Sequence, residues 1–295
     1  MSEQASQNNE LRLPNLERQP FEPRALQSII LSTLTSCMAI IACIPLFSVL
    51  IMLLYRGGKR ITFEVFHALP PTAFDVGGGF GNAIVGTLFM VGIASLISVP
   101  FGILAAIYLA ELAPESKIAT VARFCAKVLS GLPSILAGVF AYAAVVLVMG
   151  SYSAWAGGIA LSILMVPTVM LTAEEAIKMV PRPMKEAAAG MGCTPAQAML
   201  KIILPVAVPG IITGVMLAVA RAAGETAPLL FTALFSDYWL RPNEPTASLA
   251  VLIYNYSGMP FPNQIELAWA ASLVLVLLVF ILNLISRAIG RRKTV

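Results

Sequence analysis

Six long apolar stretches separated by polar islands organise the chain: Ser28–Leu54, Asn82–Ala110, Val128–Met149, Trp155–Ala173, Val206–Leu234 and Leu267–Ser286. Each has about the 20 residues a helix needs to cross a hydrocarbon core, where the backbone must satisfy its polar groups internally. The pattern predicts an all-α, polytopic membrane protein with six transmembrane helices. It divides into an N-terminal tail over 1–27, a six-span domain over 28–286 with a cytoplasmic loop at 174–205, and a basic tail over 287–295. The first stretch is too long for a signal peptide, whose apolar core runs about 7–15 residues. Pro45, Pro133 and Pro167 are kink candidates, and Gly131-Leu132-Pro133-Ser134 permits non-helical backbone, which is tolerated at membrane depth where it lines a cavity. Spans three and four, joined around Ser151 and Tyr152, form a hairpin. Glu174, Glu175 and Lys178 continue the fourth helix out of the membrane, Glu174 and Lys178 at favourable i,i+4 spacing, and Pro181 and Pro183 end it.

Composition confirms the class and charge sets the orientation. With 58% hydrophobic and 12% charged residues and a mean hydropathy of +0.86, the chain lies outside the soluble range. Fourteen of the 19 Lys and Arg fall on the side holding both tails and the 174–205 loop; four fall opposite, at Arg56, Lys59, Arg60 and Arg241, and Arg221 lies inside a span. The positive-inside rule then makes both termini and the loop cytoplasmic. The net charge of +4 reports this topology and not affinity for nucleic acid. Cys37, Cys43, Cys125 and Cys193 have no disulfide or metal spacing, and His67 reads as an ordinary polar loop residue. Two external loops, Tyr55–Gly81 and Phe235–Glu266, are large enough to receive an extracytoplasmic partner, with Tyr238, Trp239, Tyr254 and Tyr256 as contact residues or as an aromatic belt. Gly77–Gly81 matches neither Rossmann nor P-loop spacing. With no P-loop and no catalytic or metal constellation in the chain, it is expected to be a non-enzyme.

The polar island Glu186–Pro205 reads as two short helices with a bend. Glu186–Ala189 favour helix, Gly190 and Gly192 interrupt it, and Thr194, Pro195 and Gln197 form a start signal with a cap, a proline at the first helical position and the closing residue of a capping box. Local physics leaves two readings, a docking surface or an interfacial connector.

The second polar feature is Arg221 and Glu225, inside an apolar span. Charges there cost at least about 2.5–3.5 kcal/mol each on insertion scales, so they face protein, water or each other. Helical periodicity puts them on the face that carries Gly210, Gly214 and Ala218, a small-residue packing seam. They form either a structural lock or a contact for an anionic substrate. A guanidinium attracts any oxyanion, whereas a neighbouring carboxylate repels one that brings no proton; phosphate near neutral pH carries a proton and sulfate does not.

Glu186-Ala187-Ala188, Gly192, Ile202, Leu204 and Pro205 resemble the EAA loop of binding-protein-dependent ABC importer permeases at every defined position. The Arg221–Pro228 run, Arg-Ala-Ala-Gly-Glu-Thr-Ala-Pro, resembles permeases of the phosphate-specific importer, the PstA type. The resemblance covers the chain from the first span onward and implies a type I permease fold in the cell inner membrane. It implies that Glu186, Ala187, Ala188, Gly192, Ile202, Leu204 and Pro205 couple to an ATPase, while Arg221, Glu225 and Thr226 line or gate the pathway. It implies a heterodimer with a second, PstC-like permease, two PstB-like cytoplasmic ATPase subunits that bind ATP and Mg, and a PstS-like extracytoplasmic phosphate-binding protein. A regulatory protein, a sensor kinase and membrane lipid complete the expected partners. The alternatives are a permease for sulfate, thiosulfate or molybdate, a phosphate-sensing scaffold, and a passive anion channel.

Overall fold

Helices carry the chain, and no strand occurs among the residues that the computed structural model describes, 23–291 apart from Ala73 and Val76. The expected tail over 1–27 lies largely outside the described residues, as do the last four residues of the basic C-terminal tail. Five helical segments, Leu26–Gly57, Gly81–Leu112, Ala154–Lys178, Pro195–Ala223 and Pro262–Ile285, are long and apolar enough to cross a membrane. A bent pair, Lys117–Gly131 with Ser134–Met149, makes a sixth if counted as one span.

Helix α1 (Pro23–Met52) is a unit by itself. Its Ile, Leu, Met and Phe side chains are exposed around the helix, as suits a span in contact with lipid. The second unit begins with a π turn over Leu53–Gly57. It continues through α2 (Gly81–Leu112), α3 (Lys117–Gly131), α4 (Ser134–Met149) and α5 (Ala154–Lys178). Then follow α6 (Arg182–Gly190), α7 (Pro195–Ala223), α8 (Ala227–Thr232), α9 (Leu249–Ser257) and α10 (Pro262–Arg291).

The core forms around α5. Small residues let its neighbours approach: a Cβ on Gly102 of α2 would lie 2.7 Å from the Val169 side chain, and one on Gly158 would lie 2.7 Å from Ile93. On the α7 side, Gly210 and Gly214 sit against Ala176 and Thr172, where a Cβ would come within 2.8 and 2.2 Å. Close backbone approach through small residues is how membrane helices gain packing without a hydrophobic drive between them.

Three expectations need correction. The third span is not one continuous helix over Val128–Met149: it breaks at the Gly131–Ser134 stretch and the Pro133 kink expected there, and α3 and α4 meet at 106°. Leu132, extended at φ −71° and ψ 142°, precedes Pro133, which caps α4, because the proline ring disfavours helical backbone in the residue before it. Pro167, by contrast, lies inside the continuous α5. Second, the fifth span does not reach Leu234. It ends at Ala223, and Gly224–Thr226 separates it from α8. Third, the segment expected as the external loop Phe235–Glu266 is partly core. Ala247 and Leu249–Leu252 are buried against α2 and α10, and Ser248 caps α9 while Thr87 Oγ1 accepts the Leu249 N–H at 2.9 Å. Tyr256, expected as a contact aromatic, is 4% exposed and packs on Phe235; Tyr238, Trp239 and Tyr254 remain exposed.

The other loop is fixed to α10. Asn263 donates to the Asp75 and Gly77 carbonyls. Thr72 donates its hydroxyl and its N–H to the Asp75 carboxylate, which holds that group below its ordinary range.

Candidate functional site

The two polar features occupy the two ends of one helix. After its cap at Thr194, α7 runs 29 residues to Ala223, roughly 43 Å at 1.5 Å per residue.

At the first end, α5 stops at Lys178 and Pro181 caps α6. Gly192, at φ 80°, closes α6 with paired bonds from the Gly192 N–H to the Ala189 carbonyl and from the Cys193 N–H to the Ala188 carbonyl. This is a Schellman ending, and its left-handed residue favours glycine for want of a Cβ. One residue later the chain turns into α7 through a complete capping box: the Gln197 N–H donates to Thr194 Oγ1 at 3.3 Å and the Thr194 N–H to Gln197 Oε1 at 3.1 Å. The bend is therefore fixed by hydrogen bonds on both sides. A π turn over Met199–Ile203 precedes Pro205. The wider turn takes up the distortion a proline imposes on the preceding helical turn.

Burial divides the residues of this end. Ala188 is fully buried and Ile202 and Leu204 are partly covered, whereas Glu186, Ala187, Gly192 and Pro205 are exposed. Met179, Met184, Met191 and Leu200 add exposed apolar surface. Beneath them Ile177 and Val180 pack with Met199 and Ile203 in one buried cluster that also takes in Ala106 of α2. The surface thus mixes exposed apolar side chains with Glu186 and the cations Arg182 and Lys201, and rests on a buried apolar base.

At the second end, Arg221 Nε lies 3.4 Å from Glu225 Oε1, with the Arg221 side chain 48% exposed and the Glu225 side chain 15%. The expected i,i+4 pairing is present even though Glu225 lies beyond the helix. The position of the pair differs from expectation. It stands at the C-terminal end of α7 and not midway along a longer span. Ala222 rather than Arg221 continues the buried seam from Gly214 and Ala218, which leaves the guanidinium on the open side. Thr226 follows in the break and accepts the Leu229 and Leu230 N–H groups through its carbonyl. Pro228 then docks on Gly138 of α4, where a Cβ would lie 2.7 Å from the Pro228 Cα. The break is set locally by Gly224 and Pro228, since Pro228 cannot extend the helix from Ala223.

Two ion clusters were missed in the sequence. Arg123 of α3 bonds Glu174 at 2.6 Å and the Leu109 and Pro114 carbonyls at 2.6 and 2.9 Å, while Lys178 reaches the same carboxylate at 2.6 Å. Only the Glu174–Lys178 half was visible as a local spacing. The other cluster pairs Lys185 of α6 with Glu111 of α2. Together they tie the lead-in and the first loop helix to the end of α2. Among the described residues no three His, Cys, Asp or Glu side chains come together as a metal site.

Residues 98–295, a stretch that includes both ends of α7, match the family model described as "Binding-protein-dependent transport system inner membrane component". A phosphate transport system permease protein PstA of Haemophilus influenzae is 40% identical over 247 residues, covering 83% of this chain and 87% of the relative. One from Yersinia pestis is 41% identical over 239 residues, covering 81% of each. Among solved structures, a bacterial ABC transporter involved in the import of the acidic polysaccharide alginate aligns over 92% of this chain and 98% of its own, with a TM-score of 0.65 at 18% identity. The inward-facing MetNI methionine ABC transporter aligns over 72% and 95%, with a TM-score of 0.60 at 21% identity. The two structural likenesses bear on the fold.

Proposed function

This chain belongs to the family of binding-protein-dependent transport system inner membrane components, and on that premise we propose that it is the membrane-spanning permease subunit of an importer of inorganic phosphate. The observation that carries the reading is the likeness to phosphate permeases over more than four-fifths of the chain. It is a multi-pass inner-membrane protein. Both termini and the Glu186 loop face the cytoplasm, with Arg56, Lys59, Arg60 and Arg241 outside, in keeping with the Lys and Arg distribution.

The exposed Glu186 surface receives a cytoplasmic ATPase, which binds ATP and Mg and performs the hydrolysis this chain lacks the residues for. When the ATPase pair closes, the force enters a bend that is capped on both sides and braced by Lys185–Glu111 and Arg123–Glu174. It leaves along α7. At the far end the movement displaces Arg221, Glu225 and Thr226 relative to α8 and α4, opening the pathway shared with a second permease. An extracytoplasmic binding protein delivers phosphate to the outer surface, where Tyr238, Trp239 and Tyr254 are exposed.

The pair also supplies a filter. Arg221 spends one of its five N–H donors on Glu225, and the rest remain for an oxyanion. Glu225 accepts the proton of hydrogen phosphate and repels a fully ionised sulfate. Uptake of labelled phosphate by cells that depend on this chain, competed with sulfate, tests the function. Phosphate uptake resistant to excess sulfate is expected, and sulfate, thiosulfate or molybdate uptake in its place would overturn it.

A further inference from the structure

Three of the four Lys and Arg assigned to the outer side fall within residues 56–60, against the usual depletion of cations there. They line one concavity. Its volume is about 410 Å³, and its walls are Tyr55, Arg56, Lys59 and Arg60 from the segment after α1 and Pro262, Ile265, Glu266 and Trp269 from α10. That volume lies in the ~300–1,000 Å³ range of ligand pockets.

Each cation is oriented by a partner that leaves its charge intact. The Arg56 guanidinium lies 5.3 Å from the Trp269 ring centre, and Lys59 Nζ lies 4.0 Å from that of Tyr55. Arg60 donates through one Nη to the Gly77 carbonyl and to Asn263 Oδ1, both at 2.9 Å, while its buried Nε has no partner. Among the described residues none of the three cations forms an ion pair. The segment is held close to α10, since a Cβ on Gly57 would lie 2.6 Å from the Trp269 carbonyl. Glu266, on the rim, is the one acidic wall residue.

A set of oriented, unneutralised cations facing a ligand-sized cavity is a site for an anion. Indole and phenol rings beside it suit a group that sits where membrane meets water. We propose that this concavity is a second anion site, separate from Arg221 and Glu225, which binds a phosphate-bearing group at the outer membrane surface. Two sources present that chemistry there: the phosphodiester of an anionic phospholipid, with its chains continuing past Ile265 and Trp269, and free inorganic phosphate.

The test uses the full chain in nanodiscs of phosphatidylcholine with or without phosphatidylglycerol, and compares the native protein with Arg56→Gln, Lys59→Gln, their combination and Glu266→Gln. Arg60 is left intact because it fixes the loop. Native mass spectrometry counts the phosphatidylglycerol retained, and labelled inorganic phosphate is titrated into the phosphatidylcholine discs. Removing each cation is expected to weaken binding about fivefold, and Glu266→Gln to strengthen it, a gain that misfolding does not produce. Loss of lipid retention identifies the headgroup as the source, and loss of phosphate binding in the phosphatidylcholine discs identifies the free ion. If all variants retain both as the native chain does, the proposal fails. Uptake is not the readout, so the outcome is independent of which oxyanion the chain transports.

Discussion

Four residues set the local geometry and charge at the two ends of α7 and its braces, and each is open to test. Gly192 holds a left-handed backbone at φ 80° and carries a bond of the Schellman ending. Gly192→Ala imposes a cost of about 1–2 kcal/mol, so the Gly192 and Cys193 amides should exchange about ten times faster in hydrogen–deuterium exchange while those of α5 keep their protection. Glu174 is 3% exposed and gathers both Arg123 and Lys178. Its replacement by Ala leaves Arg123 short of a charged acceptor, and a loss of about 1–3 kcal/mol is expected, read as a lower Tm in detergent. Lys178→Ala should cost under about 1 kcal/mol, because that side chain is half exposed. Glu225→Gln removes the charge proposed to repel sulfate, so sulfate should begin to compete with phosphate; an unchanged preference would show that selection happens elsewhere.

At the scale of elements, the loop was legible in the sequence and the span ends were not. Thr194, Pro195 and Gln197 identify a helix start because capping is a local matter, settled by side chains three residues apart. Gly192 identifies a stop for the same reason. The break at Gly224–Thr226 left its signal in Gly224 and Pro228, yet an apolar background masked it, since hydropathy does not distinguish a helix from a short break within it. Arg123–Glu174 and Lys185–Glu111 bring together residues 51 and 74 positions apart, and no local spacing records such pairs. Tyr256 was misplaced because burial of α9 depends on α2 and α10 closing over it. The small-residue seam was read correctly for Gly210, Gly214 and Ala218, which gives a further prediction. Gly214→Val drives its Cβ into Thr172 and should destabilise the α5–α7 contact by about 1–3 kcal/mol, whereas Gly92→Ala, with open space around it, should leave thermal stability within experimental error of the native chain.

For the molecule as a whole, the arrangement explains how a membrane-spanning permease subunit contributes to active transport. One continuous helix joins the exposed Glu186 loop surface to the Arg221–Glu225 pair, and ion pairs to α2 and α3 brace the near end. α8 follows directly on the far end and docks through Pro228 on Gly138 of α4, so a displacement along α7 changes the surroundings of the two charges.

The measurement that bears most directly on this is ATP-driven phosphate uptake in proteoliposomes holding the assembled transporter, native against Glu186→Lys. Reversing the charge at the loop surface should abolish uptake while the ATPase still co-purifies and the Tm of the membrane part is unchanged. ATP-driven uptake at the native rate in Glu186→Lys would contradict the coupling of the two ends through α7.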